Sequence, residues 1–186
     1  MTASLACVLA LSLAAAPAPK AKAAEPTPEQ LVDRLATWVP PKMHPRGSPN
    51  PFAAPVRALG AAAVPALVAG ITNPAQPYQE HQLDLVWLLG EIGDPRAFGA
   101  LLKLWEGERR QGAKVRLGIS LGASLDPANA QHLFRRLDDI NGLPLLKDVT
   151  GQDLKDLMKF KAWLTEPSNL EATVKSCRKR SVPQLG

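Results

Sequence analysis

The side chains that most often carry chemistry in proteins lie far apart along this chain. Its three histidines are His44, His81 and His132, and none has a second ligand four residues away, the helical spacing that a zinc site uses. Ser120 and Ser124 lie outside a Gly-x-Ser-x-Gly elbow, the strained turn that exposes a nucleophilic serine. The sequence therefore predicts neither a metal site nor an activated nucleophile.

Two pairs of carboxylates come closer to a catalytic pattern. Asp138 and Asp139 are adjacent, and Asp153 precedes Asp156, but both pairs fall at predicted helix ends or exposed faces. Nothing there raises a carboxylate pKa as acid–base catalysis requires. The sequence also lacks the glycine-rich loops that cradle nucleotide phosphates. We expect a protein that is not an enzyme and that holds no cofactor.

A Leu-Gly dipeptide recurs at a nearly constant interval. It occurs at Leu59-Gly60, Leu89-Gly90 and Leu121-Gly122, about 30 and 32 residues apart, and such a period is typical of stacked helical repeats. We therefore expect an all-α fold, a right-handed α-solenoid of about three helix pairs with capping helices at both ends. Each pair consists of a helix A, a turn and a helix B.

The turns and the B helices carry recognisable signals. Asp94-Pro95 and Asp126-Pro127 each combine an N-cap residue with a proline at the first helical position, and Gly90 lets a second helix approach closely. The turn after Leu59-Gly60 is expected to be about four residues shorter. Each B helix then presents apolar residues at positions i, i+3, i+4 and i+7: Val64, Leu67, Val68 and Ile71; Phe98, Leu101, Leu102 and Trp105; Ala130, Leu133, Phe134 and Leu137.

The middle repeat resembles a known family. Its segment Leu89-Gly90-Glu91-Ile92-Gly93-Asp94-Pro95-Arg96-Ala97 is similar to the short bacterial HEAT repeat of the phycobilisome-lyase type, and residues 52–140 carry the resemblance. The resemblance implies a protein-binding scaffold. A minority of the family are pigment lyases, but no residue here can be matched to a lyase site.

The remaining segments divide the chain as follows. Residues 1–23 are expected to be a signal peptide, because an apolar Leu/Ala-rich run precedes Ala21-Lys22-Ala23, a cleavage pattern. The alternatives are a disordered or tethering N-terminus, or lipidation at Cys7. We expect a proline-rich spacer, capping helix and loop at 24–51, repeats at 52–140, a C-terminal capping segment at 141–166 and a basic flexible tail at 167–186. The protein is then periplasmic or secreted.

Charge and cysteine content restrict the partners. The net charge is +5, but the leader and the tail carry the excess, because residues 25–170 hold 16 basic and 16 acidic side chains. A nucleic-acid-binding solenoid needs a basic stripe on its folded part, so we expect no nucleic-acid partner. Cleavage would leave Cys177 as a single thiol, free or bonded to another chain.

One small basic patch remains on the predicted B-helix face. Lys103 and Arg135 are one repeat apart, and His132 and Arg136 flank Arg135. Arginine can hold a carboxylate with two hydrogen bonds, so these four residues are the predicted binding site for an acidic segment of a protein or peptide partner. The alternative for these residues is a solvated outer face.

Two other functions stay open from the sequence. One is a lyase or another enzyme that uses the solenoid groove. The second is a lipid- or polyanion-binding module that acts through the basic tail, with Arg178-Lys179-Arg180 at its centre, and membrane contact is expected only through that tail.

Overall fold

The structure is a computed structural model and describes residues 25–38, 50–73, 82–139, 143–150 and 156–181. Within these ranges it is helical, with no strand, which confirms the predicted all-α class. The predicted leader at 1–23, the loop at 40–49, and the side chains of His44, His81 and Asp153 lie outside the described residues. The α-helices are α1 (Pro28–Thr37), α2 (Ala53–Leu59), α3 (Val64–Thr72), α4 (Gln82–Ile92), α5 (Phe98–Gly107), α6 (Gln111–Ala123), α7 (Pro127–Asp139), α8 (Leu143–Thr150), α9 (Leu157–Thr165) and α10 (Pro167–Ser181).

Polar side chains cap the helix starts that the sequence marked. Thr27 Oγ1 accepts a hydrogen bond from the backbone N–H of Gln30, and Gln30 Oε1 accepts one from the N–H of Thr27, which completes a capping box. Asp94 Oδ1 accepts from the N–H of Arg96 at 2.9 Å. Asp126 Oδ1 accepts from the N–H of Asn129 at 2.7 Å. The caps at Asp94 and Asp126 confirm the two helix starts predicted from the sequence.

Gly60 and Gly93 show that the predicted alignment of Gly60 with Gly90 is wrong. Gly60 has a φ of 53° and Gly93 a φ of 63°, so both follow an A helix in a conformation that side chains disfavour. Gly60 therefore corresponds to Gly93, not to Gly90. A short 3-10 turn follows each of them, Gly60–Ala63 and Pro95–Ala97, so the first turn is only slightly shorter than the second.

The predicted B-helix faces are the buried faces of α3, α5 and α7. Every residue of the α5 set is buried, including Leu102. In α3 and α7 the sets are also buried except Val68 and Phe134, which are partly exposed. The pattern at i, i+3, i+4 and i+7 therefore identifies the core correctly in all three helices.

Helix α6 lies at the centre of the molecule. It contacts α4, α5, α8 and α10, and all residues from Leu117 to Leu125 are buried. Small residues make these contacts close. A methyl group on Gly118 would collide with Asp148 on α8, and one on Gly90 of α4 would collide with Ser120 of α6. The expected close approach at Gly90 is thus confirmed.

The described part of the predicted tail is ordered, which corrects the expectation for residues 167–181. Helix α10 packs on α4, α6 and α8, and its residues Thr173, Cys177 and Ser181 are buried. These side chains repeat every four residues as an inner face should, but they are small or polar and give no hydrophobic periodicity. The basic side chains beside them suggested a solvated tail.

The capping segment at 141–166 differs from expectation in one face. Leu145 and Leu146 of α8 are fully buried. The sequence predicts a last helix with Leu154, Leu157, Met158 and Leu164 on one packed face, but Met158 of α9 is 73% exposed. Leu164 is buried as predicted, and Phe160 is the buried residue that the prediction missed. Asp156 caps α9 by accepting hydrogen bonds from the N–H groups of Met158 and Lys159.

One stretch of the described residues, Ala53–Thr72, is long and apolar enough to cross a membrane by length and composition. In the structure it is broken at Gly60 into α2 and α3, which have 7 and 9 residues. Both are much shorter than the ~20 residues that a membrane span needs. We therefore describe them as a helix pair of the folded domain.

Candidate protein-binding face

The four predicted binding residues lie on the solvent side of two neighbouring B helices. Lys103 is on α5, and His132, Arg135 and Arg136 are on α7. The helices present these side chains outward because their apolar sets, centred on Leu101 and Leu133, face the core. The first three are exposed and Arg136 is half-buried.

Arg136 forms an ion pair with a neighbouring helix. Its guanidinium donates to Glu106 Oε1 of α5, from Nη2 at 2.8 Å and from Nε at 3.2 Å. His132 lies edge-on to the ring of Phe98, also on α5, with 5.9 Å between the ring centroids. These two contacts join α7 to α5 along one side of α7. The charge of Arg136 is offset by Glu106, so Arg136 contributes little to a basic patch.

Lys103 and Arg135 are the uncompensated part of the predicted patch. Both are exposed, and within the described ranges neither makes an ion pair or a hydrogen bond. They are one repeat apart on helices that Arg136 and His132 hold together. We name these two residues the basic ridge.

An apolar groove opens next to the basic ridge and was not predicted. It lies between α7, α9 and α10 and has a volume of about 430 Å³. Phe134 of α7, Leu164 of α9 and Val174 of α10 line it, and its polar lining side chains are Gln131, Thr165 and Glu171, with the remaining walls formed by Leu125, Pro127, Ala130, Pro167 and Leu170. Phe134 is the residue of the sequence pattern that points to this groove. It completes the apolar set of α7, but in the structure its side chain is only partly buried.

The basic ridge continues into the rim of this groove. Gln131 lines the groove, and Arg135 follows it by one helical turn on α7. An apolar cavity with a few polar groups at its edge is the usual form of a binding site. The groove could not be predicted from the sequence, because α10 forms one of its walls and residues 167–186 were expected to be a flexible tail.

The second basic cluster, at the end of α10, turns inward. Arg178 Nη2 donates to the carbonyl of Gly93 at 2.8 Å, next to the C-terminal end of α4. Arg180 Nη2 donates to the carbonyl of Val149, and its Nη1 to that of Asp148 at 3.4 Å, at the end of α8. Positive side chains stabilise the negative ends of helices. Two of the three basic residues at 178–180 therefore bind the protein itself.

A buried polar cluster lies beneath Arg180. Asp148 Oδ2 accepts a hydrogen bond from Trp105 Nε1 at 3.4 Å, and Lys114 Nζ lies 4.4 Å from the centroid of the Trp105 ring. Burial raises the pKa of Asp148, although Trp105 and the nearby cations act in the opposite direction. This cluster connects α5, α6 and α8, and it is closed by α10.

Cys177 is a core residue. Its side chain is fully buried, and Sγ donates to the carbonyl of Val149 at 2.8 Å. Burial raises the pKa of the Cys177 thiol, against the lowering effect of Arg180. The sequence left a bond to another chain open, but in this fold the thiol is inaccessible to one.

The described residues show no other arrangement suited to chemistry. They contain no group of three or more histidine, cysteine or carboxylate side chains placed to hold a metal ion. Ser120 and Ser124 are buried in α6 and its cap, and Ser124 Oγ donates to the backbone carbonyl of Ser120. Asp156 serves as a helix cap.

Comparison with known proteins adds no assignment. The chain matches no protein-family model, no curated protein and no solved structure. The site must therefore be interpreted from its own geometry.

Proposed function

We propose that this chain is an exported scaffold, a short solenoid of HEAT-like helix pairs, that binds a segment of another protein on its B-helix face and performs no catalysis. The observation that carries this proposal is the apolar groove beside the basic ridge. A partner segment with apolar side chains and a neighbouring carboxylate would match both features.

Recurring contacts between successive helix pairs support the solenoid part of the proposal. Arg96 Nη2 donates to the carbonyl of Ala61 at 2.8 Å, across 35 residues, and Asn129 Nδ2 donates to the carbonyl of Pro95 at 3.1 Å, across 34 residues. In both cases a side chain at the start of one B helix holds the turn of the pair before it. Repeats that contact mainly their neighbours produce such periodic contacts.

The groove supports binding of a macromolecular segment. Its walls belong to three helices, and the partly buried side chains of Phe134 and Val174 present apolar surface to solvent there. Such surface is costly to expose, at roughly 25 cal/mol per Å², and a partner's side chains would remove it from water. Packing in a preformed groove also limits the entropy lost on binding.

The basic ridge supports an acidic partner. Lys103 and Arg135 carry two positive charges, and neither forms an ion pair with a described side chain. Exposed charges of this kind mainly raise the association rate and select the partner, whereas the apolar groove supplies most of the affinity. We therefore assign specificity to the ridge and affinity to the groove.

The two rival functions have less support. Binding of a lipid surface or polyanion through residues 178–180 would need their charges in one patch, but Arg178 binds the carbonyl of Gly93 and Arg180 that of Val149, on two different helices' ends. An enzyme that uses the groove would need polar side chains converging in it, but its lining is predominantly apolar.

Photocrosslinking in the host cell tests the proposal. A photoreactive amino acid is placed at Gln131, at the groove, at Lys103, on the ridge, or at Arg34, an exposed control position on α1. We expect one shared protein adduct from the first two positions and none from Arg34, recovered from the extracytoplasmic fraction. Equal adducts from all three positions, or an adduct from Arg34 alone, would contradict the proposal.

A further inference from the structure

A second pocket lies away from the B-helix face, beside the turns of the first two helix pairs and the end of α10. It has a volume of about 440 Å³ and is lined by Arg57, Glu91, Asp94 and Arg178, with Gly60, Ala61, Ile92, Gly93 and Pro95 between them. The pocket is thus more polar than the groove. Its charged side chains come from α2, α4, the second turn and α10.

Two of its arginines have unused hydrogen-bond donors. Arg57 binds Glu91 Oε1 only through Nε, at 2.7 Å, and Arg178 binds the carbonyl of Gly93 only through Nη2, at 2.8 Å. Among the described residues, neither arginine donates a further hydrogen bond. A guanidinium has five donors in a planar fork, so each arginine retains donors that can bind a planar anion.

The charges around the pocket leave one positive charge without a counterion. Glu91 is paired with Arg57. Asp94 is paired with Arg96, whose Nε and Nη2 donate to its two carboxylate oxygens at 2.9 Å and 2.7 Å. Arg178 binds only a neutral carbonyl. The four charged lining side chains sum to zero, but Arg96 from outside the lining offsets Asp94, so Arg178 is the lining arginine that no carboxylate pairs with.

Glycine makes room for this arrangement. A methyl group on Gly93 would collide with Arg178 Nε, and the positive φ of Gly93 also disfavours a side chain. At Gly60 an added methyl group would meet no atom within 4 Å, so that wall is open space. The backbone turns therefore admit both the guanidinium of Arg178 and a ligand beside it.

We propose that this pocket binds a carboxylate group through Arg57 and Arg178. Its volume lies in the range of small-molecule sites, and forked guanidinium–carboxylate pairs are among the strongest hydrogen-bonded contacts in proteins. The carboxylate belongs either to a small free acid or to the C-terminus of a peptide. This site is independent of the B-helix face and of the partner proposed there.

Backbone amide NMR of the full chain tests the proposal at constant ionic strength. The probes are acetate, acetyl-trialanine with a free carboxylate, the same peptide amidated, and inorganic phosphate, with chloride as reference. We expect saturable shifts of the Gly60 and Gly93 amide signals with acetate and with the free-acid peptide. Tighter binding of the peptide acid identifies a chain terminus as the source, and equal affinity identifies a small acid.

Substitution of Arg178 tests whether the ligand-induced shifts arise from binding in this pocket. Arg178→Gln should weaken acetate binding by about tenfold or more, the loss expected for a charged hydrogen bond. Lys179→Gln is the matched control, since the next residue is exposed and carries the same charge. If Arg178→Gln perturbs the fold, Arg178→Lys retains the charge and should give an intermediate affinity. Any of three results would overturn the proposal. The amidated peptide binds as tightly as the free acid, phosphate binds more tightly than the carboxylates, or both Arg178 variants bind acetate with wild-type affinity.

Discussion

Gly122 of α6 packs directly against Cys177 of α10: a methyl group on Gly122 would lie 2.5 Å from Cys177 Sγ. The same methyl group would lie 2.9 Å from Val149 Cγ1 of α8. One residue without a side chain thus lets three helices meet. This contact makes α10 an integral part of the fold.

Gly122→Ala should therefore destabilise the protein. The added methyl group has no space, and overpacking of this kind costs about 1–3 kcal/mol. Gly112→Ala is the matched control on the same helix, because a methyl group there meets no atom within 4 Å. It should be neutral or stabilising by up to about 1 kcal/mol. Chemical denaturation measures both, and equal stability of the two variants would show that α10 does not approach α6 in this way.

Removal of α10 should unfold the chain cooperatively. Deletion of residues 167–186 exposes the buried face of α6 and leaves the ends of α4 and α8 without Arg178 and Arg180. Deletion of residues 182–186 alone leaves every described contact in place and serves as the control. Circular dichroism on heating distinguishes the two: a native-like transition after the long deletion would restore the idea of a dispensable tail.

Asp148 should give the stability a recognisable pH dependence. Because burial raises its folded-state pKa above 3.8, its ionised form is disfavoured in the folded protein. Its contribution is fully present below 3.8 and is lost as the pH rises through the raised pKa. Relative to Asp148→Asn, which cannot ionise, the wild type should therefore lose stability as the pH rises above 3.8. A constant difference between the two proteins across this range would refute the raised pKa.

Export makes a separate prediction about the N-terminus. If residues 1–23 are a signal peptide, the exported protein begins near Ala24, because cleavage follows the small residues of Ala21-Lys22-Ala23. Intact-mass spectrometry of the extracytoplasmic fraction measures this directly. Recovery of the full-length chain from the cytoplasm would reject the export step, and a diacylglycerol adduct on Cys7 would indicate a lipoprotein.

Much of the fold can be inferred from the sequence because its helix pairs follow strong local rules. The apolar sets around Leu67, Leu101 and Leu133 identify the buried faces, and Asp94 and Asp126 identify two helix starts. These signals are local, since they depend on helical period and on caps within one turn.

The features that the sequence did not predict correctly, such as the packing of α10, are determined by tertiary contacts. The inner face of α10 contains Thr173, Cys177 and Ser181, which pack well only because Gly90 and Gly122 lie opposite them. No pattern within residues 167–181 reveals that complementarity. Likewise, the sequence identified the four binding candidates as basic or titratable, but only the ion pair with Glu106 shows that Arg136 is already satisfied.

The most direct test of the proposed function is the affinity for the crosslinked partner after reversal of the basic ridge. Lys103→Glu with Arg135→Glu should lower the affinity by about tenfold or more and flatten its salt dependence, because both charges face an acidic segment. Lys175→Glu with Lys179→Glu makes the same charge change on exposed positions of α10 and should leave both quantities unchanged. Wild-type affinity and wild-type salt dependence in the ridge variant would contradict the assignment of this face.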